Sequence, residues 1–401
     1  MTNANGRKSA GALQAIGLVL TIQIPIVPIM ALAPNLPLLF RHFAMTPGKE
    51  FLVPMIITLP SLGIVLLGPV AGVMADRWGR RRLLLWALIL FGMAGVAPAF
   101  LEDLRAILAA QAVLGIAEAV IITNANTMLG DYFPAEQRNR WLGVQSMLGP
   151  FFAAALTLAA GFLGTVSWHA PFAVLAIAFV MWAWLFAATW EPQRVTVPAN
   201  SVIASGAPGG FPWRSMSPVF AITVLTALIF YVPTIHFGLI YDRLGAHSSA
   251  LISILSTTAT LGSVLSGYYF RSQKQDPFRH LVLIYLSFGL GLVGLGLAGN
   301  YWSGLAFGVL INFGFGLTLP ALVALVLYRL PESYRGRGMG LWMSFFFCAQ
   351  FLCPPLFAML MHGVGGLVPA LEWTGAFCLL FALGSWIYAR RTPDLQVARV
   401  A

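Results

Sequence analysis

Long, uninterrupted runs of apolar residues recur along the whole chain of 401 residues. A helix needs about 20 consecutive apolar residues to cross the hydrocarbon core of a bilayer. The runs are too long and too continuous for the short alternating segments of a membrane β-barrel. They predict an all-α polytopic membrane protein with twelve transmembrane helices, at residues 13–40, 51–75, 83–100, 105–130, 141–164, 171–189, 218–241, 248–270, 280–299, 303–328, 339–361 and 370–389.

The composition excludes a soluble protein. Hydrophobic residues make up 59% of the chain and charged residues 9%, whereas a soluble domain carries roughly 25% charged residues. The net charge of +10 is typical of membrane proteins with basic cytoplasmic loops. We therefore expect the lipid bilayer, and no nucleic acid, as the partner of this chain. Its three cysteines, Cys348, Cys353 and Cys378, lie in apolar runs and are interpreted as small buried hydrophobes.

The basic residues predict an orientation. With a cytoplasmic N-terminus, 19 of the 23 Lys and Arg residues fall in cytoplasmic segments, and the others are Arg41, Lys49, Arg105 and Arg243. An excess of Lys and Arg on the cytoplasmic side is the general rule for polytopic proteins. We expect both termini in the cytoplasm, and a multi-pass protein of the bacterial inner membrane.

The predicted helices divide into two halves of six. Residues 191–217 form the longest hydrophilic segment, are rich in Pro and Gly, and are interpreted as a cytoplasmic linker. They separate an N-terminal bundle, 1–190, from a C-terminal bundle, 218–401. Residues 134–143 and 331–340 both read P-x3-R-x-R-x2-G after the fourth helix of a half. This repeat favours a duplicated six-helix unit, and such halves usually form a binding cavity near the bilayer midplane.

The loop between the second and third predicted helices carries a family motif. Residues 72–83 read GVMADRWGRRRL and resemble the G-x-L-A-D-R-x-G-R-R/K signature of the major facilitator superfamily. Residues 34–37 and 58–69 resemble the corresponding segments of its drug and small-molecule:proton antiporters. The resemblance extends over essentially the whole chain. It implies the major facilitator fold of two pseudo-symmetric six-helix bundles, and secondary transport by alternating access.

Two motifs depart from the family's patterns. The R-x-x-x-G pattern of the fourth helix in proton-coupled members is present with Gln111 in place of Arg, followed by Gly115. The exporter motif G-P-x-x-G-G of the fifth helix keeps Gly149 and Pro150 but ends in two alanines. Export is therefore suggested by the resemblance, and the family's usual proton relay is incomplete.

The 72–83 loop is a candidate conformational latch. The tight turn between two helices suits Gly72 and Gly79, and Asp76 is expected to meet the positive N-terminal end of the eleventh helix, near residue 338. With the basic residues of the matching loops, the predicted latch comprises Gly72, Asp76, Arg77, Gly79, Arg80, Arg138 and Arg335. The alternative is that the loop is only a positively charged cytoplasmic anchor.

Glu118 is the one acidic residue predicted at membrane depth, about 20 Å along the fourth helix. An ionisable group at that depth is costly and marks a functional site by default. Glu118 is therefore our candidate for proton coupling, on one helix face with Gln111 and Gly115. The alternative is a protonated carboxylic acid that serves only helix packing.

Five further polar residues are candidates for lining a substrate cavity. Gln23 and Asn312 fall near mid-depth of their helices, and the first, fourth, seventh and tenth helices line the cavity in the family that this chain resembles. The complete set is Gln23, Gln111, Tyr231, His236 and Asn312. A lone histidine on an apolar helix is more often a packed, hydrogen-bonded residue, so a structural role for His236 stays open.

Together these features predict a transporter and not an enzyme. The chain contains neither a phosphate-binding G-x4-G-K-[ST] motif nor a His/Cys cluster, so we expect no cofactor, and the proton gradient as the energy source. Because predicted span interiors lack Lys and Arg, apolar neutral or cationic substrates fit better than phosphates. We expect proton-coupled export by a monomer. The alternatives are a proton-linked importer, a uniporter of a small nutrient, and a membrane sensor without flux.

Overall fold

A computed structural model describes residues 10–192, 211–272, 277–331 and 334–391. In the described part of the chain, twelve helical spans are long and apolar enough to cross a membrane. The predicted all-α, twelve-helix class is thereby confirmed. The helices are α1 in three segments, Ala12–Ile22, Val27–Leu32 and Leu36–His42; α2, Lys49–Trp78; α3, Arg80–Val96; α4, Leu104–Tyr132; α5, Ala135–Gly164; α6, Ile177–Ala188; α7, Trp213–Arg243; α8 in two segments, Ser249–Ala259 and Leu261–Ser272; α9, Pro277–Leu297; α10, Tyr301–Arg329; α11, Arg335–Val364; and α12, Leu367–Arg391.

The helices belong to two compact units, Met1–Thr196 and Val197–Ala401. Each unit contains six of the twelve spans. The division falls inside the segment 191–217 that the sequence predicts as a linker. Most of that segment lies outside the described residues, and its role as a linker stays a prediction.

The first span is not one continuous helix. Two short 3-10 turns, Ile24–Ile26 and Ala33–Asn35, interrupt α1. Proline lacks a backbone N–H and cannot donate to the carbonyl four residues back, and prolines stand at positions 25, 28 and 34. The Asn35 side chain lies beside the second interruption, where its amide donates to the Ala31 carbonyl at 2.8 Å and to the Ala160 carbonyl of α5 at 3.2 Å.

Several helices extend beyond the predicted spans. α5 begins at Ala135 and not at 141, α7 at Trp213 and not at 218, and α11 at Arg335 and not at 339. Hydropathy marks the part of a helix in hydrocarbon. Backbone hydrogen bonding continues past that limit into the charged segments at the membrane surface.

Glycines allow two helices of the N-terminal unit to approach closely. A methyl group at Gly115 of α4 would overlap the Pro60 carbonyl oxygen of α2, and one at Gly63 would overlap the Gly115 backbone. Small residues at such contacts let helix backbones approach in membranes, where apolar burial gives little drive for association. The α2–α4 contact thus fixes the helix that carries Glu118.

The C-terminal unit has the corresponding contact between its second and fourth helices. A methyl group at Gly262 of α8 would overlap the Val309 carbonyl oxygen of α10, and one at Gly316 of α10 would overlap the Ser266 hydroxyl of α8. The Ser263 hydroxyl donates to the Asn312 carbonyl at 2.8 Å across the same contact. Each unit therefore has a close contact between its own second and fourth helices.

We predict that Gly262→Ala destabilises the protein by about 1–3 kcal/mol, because the added methyl group has no space. Gly267→Ala in the same segment of α8 is the control, since its methyl group would meet no atom within 4 Å. Thermal unfolding of the purified protein in detergent measures both variants. Equal transition temperatures for the two variants would contradict the role assigned to the α8–α10 contact.

Candidate functional site

Glu118 lies inside the N-terminal unit with an unpaired carboxyl oxygen. Its residue is 2% exposed, and Oε1 has no hydrogen-bond partner among the described residues. On the same face of α4, Gly115 packs on α2, while Leu114 lies close to Gly95 of α3. The face that carries Glu118 is thus turned toward α2 and α3. A carboxyl group buried there can exchange a proton only with a group or a water molecule that reaches it.

Gln111 is a second unpaired polar group on this face. The residue is fully buried, and neither its amide nitrogen nor its oxygen has a partner in the described structure. Buried polar groups are normally hydrogen-bonded. The face of α4 that carries Gly115 therefore has unused capacity for hydrogen bonds at Gln111.

Gln23 and the span-5 motif come together in the N-terminal unit. Gln23 lies at the first interruption of α1, and its Oε1 accepts a 3.4 Å hydrogen bond from the Gln145 amide of α5. A methyl group at Gly149 would overlap Nε2 of Gln23. Pro150 lies within α5 immediately after this glycine. The kept Gly-Pro pair of the motif therefore makes room for a polar side chain of α1.

The three candidates of the C-terminal unit are all buried but differ in their pairing. Asn312 donates from Nδ2 to the Gly308 carbonyl of its own helix at 2.9 Å. The His236 Nδ1 lies 2.8 Å from the Val232 carbonyl oxygen, whereas Nε2 has no partner in the described structure. The Tyr231 ring lies 5.5 Å from the Phe346 ring of α11. His236 is thus held in its helix through Nδ1, while its Nε2 atom is left without a hydrogen-bond partner in the described structure.

The 72–83 loop is a helix-to-helix turn closed by Glu191. Gly79 ends α2 and precedes α3 with a φ of +92°, a left-handed conformation that favours glycine. The Glu191 carboxylate accepts backbone hydrogen bonds from the N–H groups of Arg80, at 2.6 Å, and Arg81, at 3.3 Å, and Arg82 donates to its other oxygen at 3.4 Å. An anion is stabilised at a helix N-terminus by the free N–H groups and the helix dipole.

Basic side chains of the same loop join α3 to the ends of α4 and α6. Arg80 forms an ion pair with Asp131 of α4. Arg81 donates to the Thr189 hydroxyl at 3.2 Å and to the Phe186 carbonyl at 2.8 Å. At the end of α4, the Tyr132 hydroxyl donates to the Trp190 carbonyl at 2.5 Å. These contacts hold the ends of three helices of one unit together.

The structure describes only part of the predicted latch. Asp76 lies in the last turns of α2 and Arg335 at the start of α11, but neither side chain belongs to the described part of the structure. Arg77 and Arg138 are exposed, and Gly72 has no close neighbour beyond its own helix. The latch with α11 therefore stays a prediction.

Sequence reasoning did not identify the acids that bind this loop. Glu191 is 111 residues from Arg80, and Asp131 is 51 residues away, so no local spacing connects them. The available signal was that Asp131 and Glu191 each follow an apolar span on the side of the membrane where the basic loop is predicted.

The fold and these sites define a polytopic helical membrane protein, and comparison with known proteins assigns its family. Residues 16–286 match the family model described as Major Facilitator Superfamily. The chain belongs to this superfamily of transporters.

Curated relatives resemble the chain over most of its length. The class B tetracycline resistance protein of Escherichia coli is 26% identical over 86% of this chain and 88% of its own. The bacillibactin exporter of Bacillus subtilis is 26% identical over 94% of each chain. The quinolone resistance protein NorA of Staphylococcus aureus is 22% identical over 80% of this chain and 83% of its own.

Solved structures share the fold at low sequence identity. A D-xylose-proton symporter matches with a TM-score of 0.73 and 16% identity, over 92% of this chain and 97% of its own. A peptide transporter matches with a TM-score of 0.72 and 15% identity, over 93% and 94%. These likenesses show the major facilitator fold and confirm the predicted fold. The family model confirms the predicted family, and with its curated relatives it confirms the prediction of a transporter and not an enzyme.

We predict that Glu191→Ala destabilises the protein by about 1–2 kcal/mol, the usual effect of removing a side chain that caps a helix. The stability of Glu191→Gln is expected to lie between those of the wild type and Glu191→Ala, because the amide oxygen of glutamine still accepts hydrogen bonds but carries no charge. Thermal unfolding in detergent compares the variants, with Arg140→Ala, an exposed residue past the first turn of α5, as control. Wild-type stability of Glu191→Ala would contradict the capping role.

We predict that Gly149→Ala impairs folding or transport because its methyl group displaces Gln23. Shortening the displaced side chain in Gln23→Ala should restore part of the loss in the double variant, as expected for residues in direct contact. Expression level and thermal stability report the effect. Gly143→Ala on the same helix, where a methyl group would meet no atom within 4 Å, is the control, and additive effects at positions 23 and 149 would contradict the contact.

Proposed function

We propose that this transporter exports a small apolar compound, neutral or cationic, in exchange for protons, and that Glu118 is the proton-binding group. The observation that carries the proposal is that Oε1 of Glu118 is buried without a hydrogen-bond partner among the described residues. Acidic residues inside membrane spans are expensive and typically belong to ion or substrate pathways. A carboxyl group without a fixed partner is free to bind a proton or a cation in turn.

The direction of transport is proposed from the relatives. Three of them are named for drug resistance or export. The Gly149-Pro150 pair, which accommodates Gln23, is the part of the exporter motif that this chain retains. These two observations support outward transport.

The substrate class is proposed from charge. The sequence places its Lys and Arg residues outside the predicted span interiors, so an anionic phosphate or dicarboxylate would lack the bidentate partner that binds it elsewhere. Glu118 favours a neutral or positively charged compound. In the C-terminal unit, Tyr231 and His236 are proposed to supply aromatic and polar contacts to the substrate.

The transport cycle is proposed to use alternating access by the two units. In this cycle Asp76 is proposed to hold the cytoplasmic gate closed against the start of α11. We further propose that both termini are cytoplasmic, that the protein works as a monomer, and that the proton gradient supplies the energy without a cofactor.

We predict that Glu118→Gln abolishes proton movement coupled to transport. Proteoliposomes that contain a pH-sensitive dye receive tetraphenylphosphonium or a neutral aromatic compound from outside, with the membrane potential clamped. For an antiporter, substrate entering the vesicle drives protons out, so the interior of wild-type vesicles becomes more alkaline. Glutamine cannot bind and release a proton at this position, so the variant is expected to lose at least nine-tenths of the signal.

Protein-free liposomes and the exposed Glu136→Gln variant are the controls. Internal acidification would mean symport and would overturn export by exchange. Equal flux without proton movement in wild type and Glu118→Gln would mean a uniporter. Binding without flux would mean a sensor. Unchanged coupled transport in Glu118→Gln at all pH values would remove Glu118 from the mechanism.

A further inference from the structure

The eighth helix is interrupted near the middle of its membrane span. Its two segments, Ser249–Ala259 and Leu261–Ser272, meet at Thr260, and the span itself covers residues 249–270. No proline stands between the two ends of this helix, so the interruption differs in origin from those of α1. Hydroxyl side chains that compete with the backbone for hydrogen bonds are the other common cause of a bent helix.

Thr260 redirects the hydrogen bonds at this break. Its N–H group donates to the Thr257 carbonyl at 3.1 Å, three residues back, and its hydroxyl donates to the same oxygen at 2.6 Å. In a regular helix the N–H group would donate to the carbonyl four residues back, which is that of Ser256. The Ser256 carbonyl therefore loses its usual donor, at a depth where hydrocarbon supplies no water to replace it.

Three hydroxyl groups just before the break have no hydrogen-bond partner among the described residues. They belong to Ser253, Ser256 and Thr257, and their oxygen atoms are buried. Other hydroxyls of this unit donate to the carbonyl four residues back, as Thr223 does at 2.9 Å and Thr258 at 2.8 Å. Because buried polar groups are normally hydrogen-bonded, three exceptions in consecutive turns of one helix indicate a partner from outside the chain.

Helix geometry gathers these oxygens in one place. Ser253, Ser256 and Thr257 are spaced i, i+3 and i+4, so their side chains are neighbours on one face, with about 5–6 Å between Cβ atoms. Each hydroxyl oxygen is one bond beyond its Cβ, and rotation between staggered positions can turn all three oxygens toward one small ion. The Ser256 carbonyl oxygen points along the helix toward Thr260, the next position on this face.

This group of oxygens is open on one side. Ser253 is fully buried, whereas Ser256 and Thr257 are partly exposed. An ion can therefore approach the break from the side of the two partly exposed residues and contact the oxygens behind them.

The chemistry of the oxygens favours a monovalent cation. A carbonyl oxygen only accepts, and each hydroxyl oxygen offers two lone pairs. The C-terminal end of the segment Ser249–Ala259 also carries about half a negative charge. Residues 249–270 contain no Asp or Glu, whereas Ca²⁺ and Mg²⁺ usually take carboxylate ligands. In transporters, backbone carbonyls at broken helices and the C-terminal ends of half-helices coordinate Na⁺.

We infer that the break in α8 binds a sodium ion. Its ligands are the hydroxyl oxygens of Ser253, Ser256 and Thr257 and the carbonyl oxygen of Ser256. The ion supplies the partner that these oxygens lack and stabilises the C-terminal end of the first segment. The inference goes beyond the proposed proton exchange and does not rest on it, because Glu118 lies in the other unit and is not a ligand.

Direct ion binding tests the site. The full-length protein in detergent is immobilised on scintillant beads and titrated with radioactive Na⁺, with choline chloride keeping the ionic strength constant. We expect saturable binding that unlabelled NaCl displaces. KCl should displace it about tenfold less well, because few oxygens within one helical turn suit the smaller of the two ions.

Substitutions assign the ligands. Ser256→Ala and Thr257→Val each remove one hydroxyl and should weaken Na⁺ binding about tenfold. Ser253→Ala should weaken it in the same direction. Thr258→Val is the matched control, because this neighbouring hydroxyl is exposed and already donates to the Ile254 carbonyl at 2.8 Å.

Thermal unfolding separates binding from folding. In choline chloride, Ser256→Ala and Thr257→Val should unfold at the wild-type temperature or above, because each removes a buried hydroxyl without a partner. Replacing choline by Na⁺ should raise the unfolding temperature of wild type by about 2–5 °C, since an ion that binds only the folded protein stabilises it. The two variants should lose this shift, and Thr258→Val should keep it.

Three results would each overturn the inference. They are the absence of saturable Na⁺ binding by wild type, equal displacement by KCl, and wild-type affinity in both Ser256→Ala and Thr257→Val. Binding is measured without flux, so a failure of the proposed proton exchange would leave the sodium result unchanged. Loss of the sodium site would likewise leave the outcome of the Glu118→Gln assay unchanged.

Discussion

Hydrogen bonding of the backbone within the bilayer limits where this chain can depart from helix. Hydrocarbon offers no water to a free N–H or C=O group, so an interruption needs protein groups around it. The prolines of α1 create such interruptions, and polar side chains lie next to both. Gln23 meets α5 at the first, and Asn35 donates to carbonyls of α1 and α5 at the second. The irregular first helix and its polar neighbours thus have one physical cause.

The same constraint gives meaning to polar atoms that remain unpaired. Close contacts at Gly63, Gly115 and Gly262 bring backbones together and leave little space for solvent. Side chains such as Gln111 and Glu118 are then buried with polar atoms that have no partner among the described residues. A transporter has a reason to carry this cost, because a partner that arrives and leaves during the cycle cannot be replaced by a permanent one.

Hydropathy predicted the number and kind of the helices because apolar length alone decides whether a helix can span the bilayer. It could not predict the breaks in α1, which depend on proline positions and not on mean hydropathy. The turn at Gly79 was predictable from local residues, whereas its contact with Glu191 was not, because the partners are 111 residues apart. Glu118 was predicted from its charge. The ion pair of Arg80 with Asp131 was not, because the two residues are 51 positions apart.

The carboxylate that caps α3 comes from a residue just past the last helix of its unit. Hydropathy places the end of the N-terminal bundle at residue 190, one position before Glu191. A fragment cut at that boundary would keep all six membrane spans but expose the backbone N–H groups of Arg80, Arg81 and Arg82. Separate expression or exchange of the two halves therefore requires a division after Glu191, and the start of the connecting segment is part of the architecture of the first half.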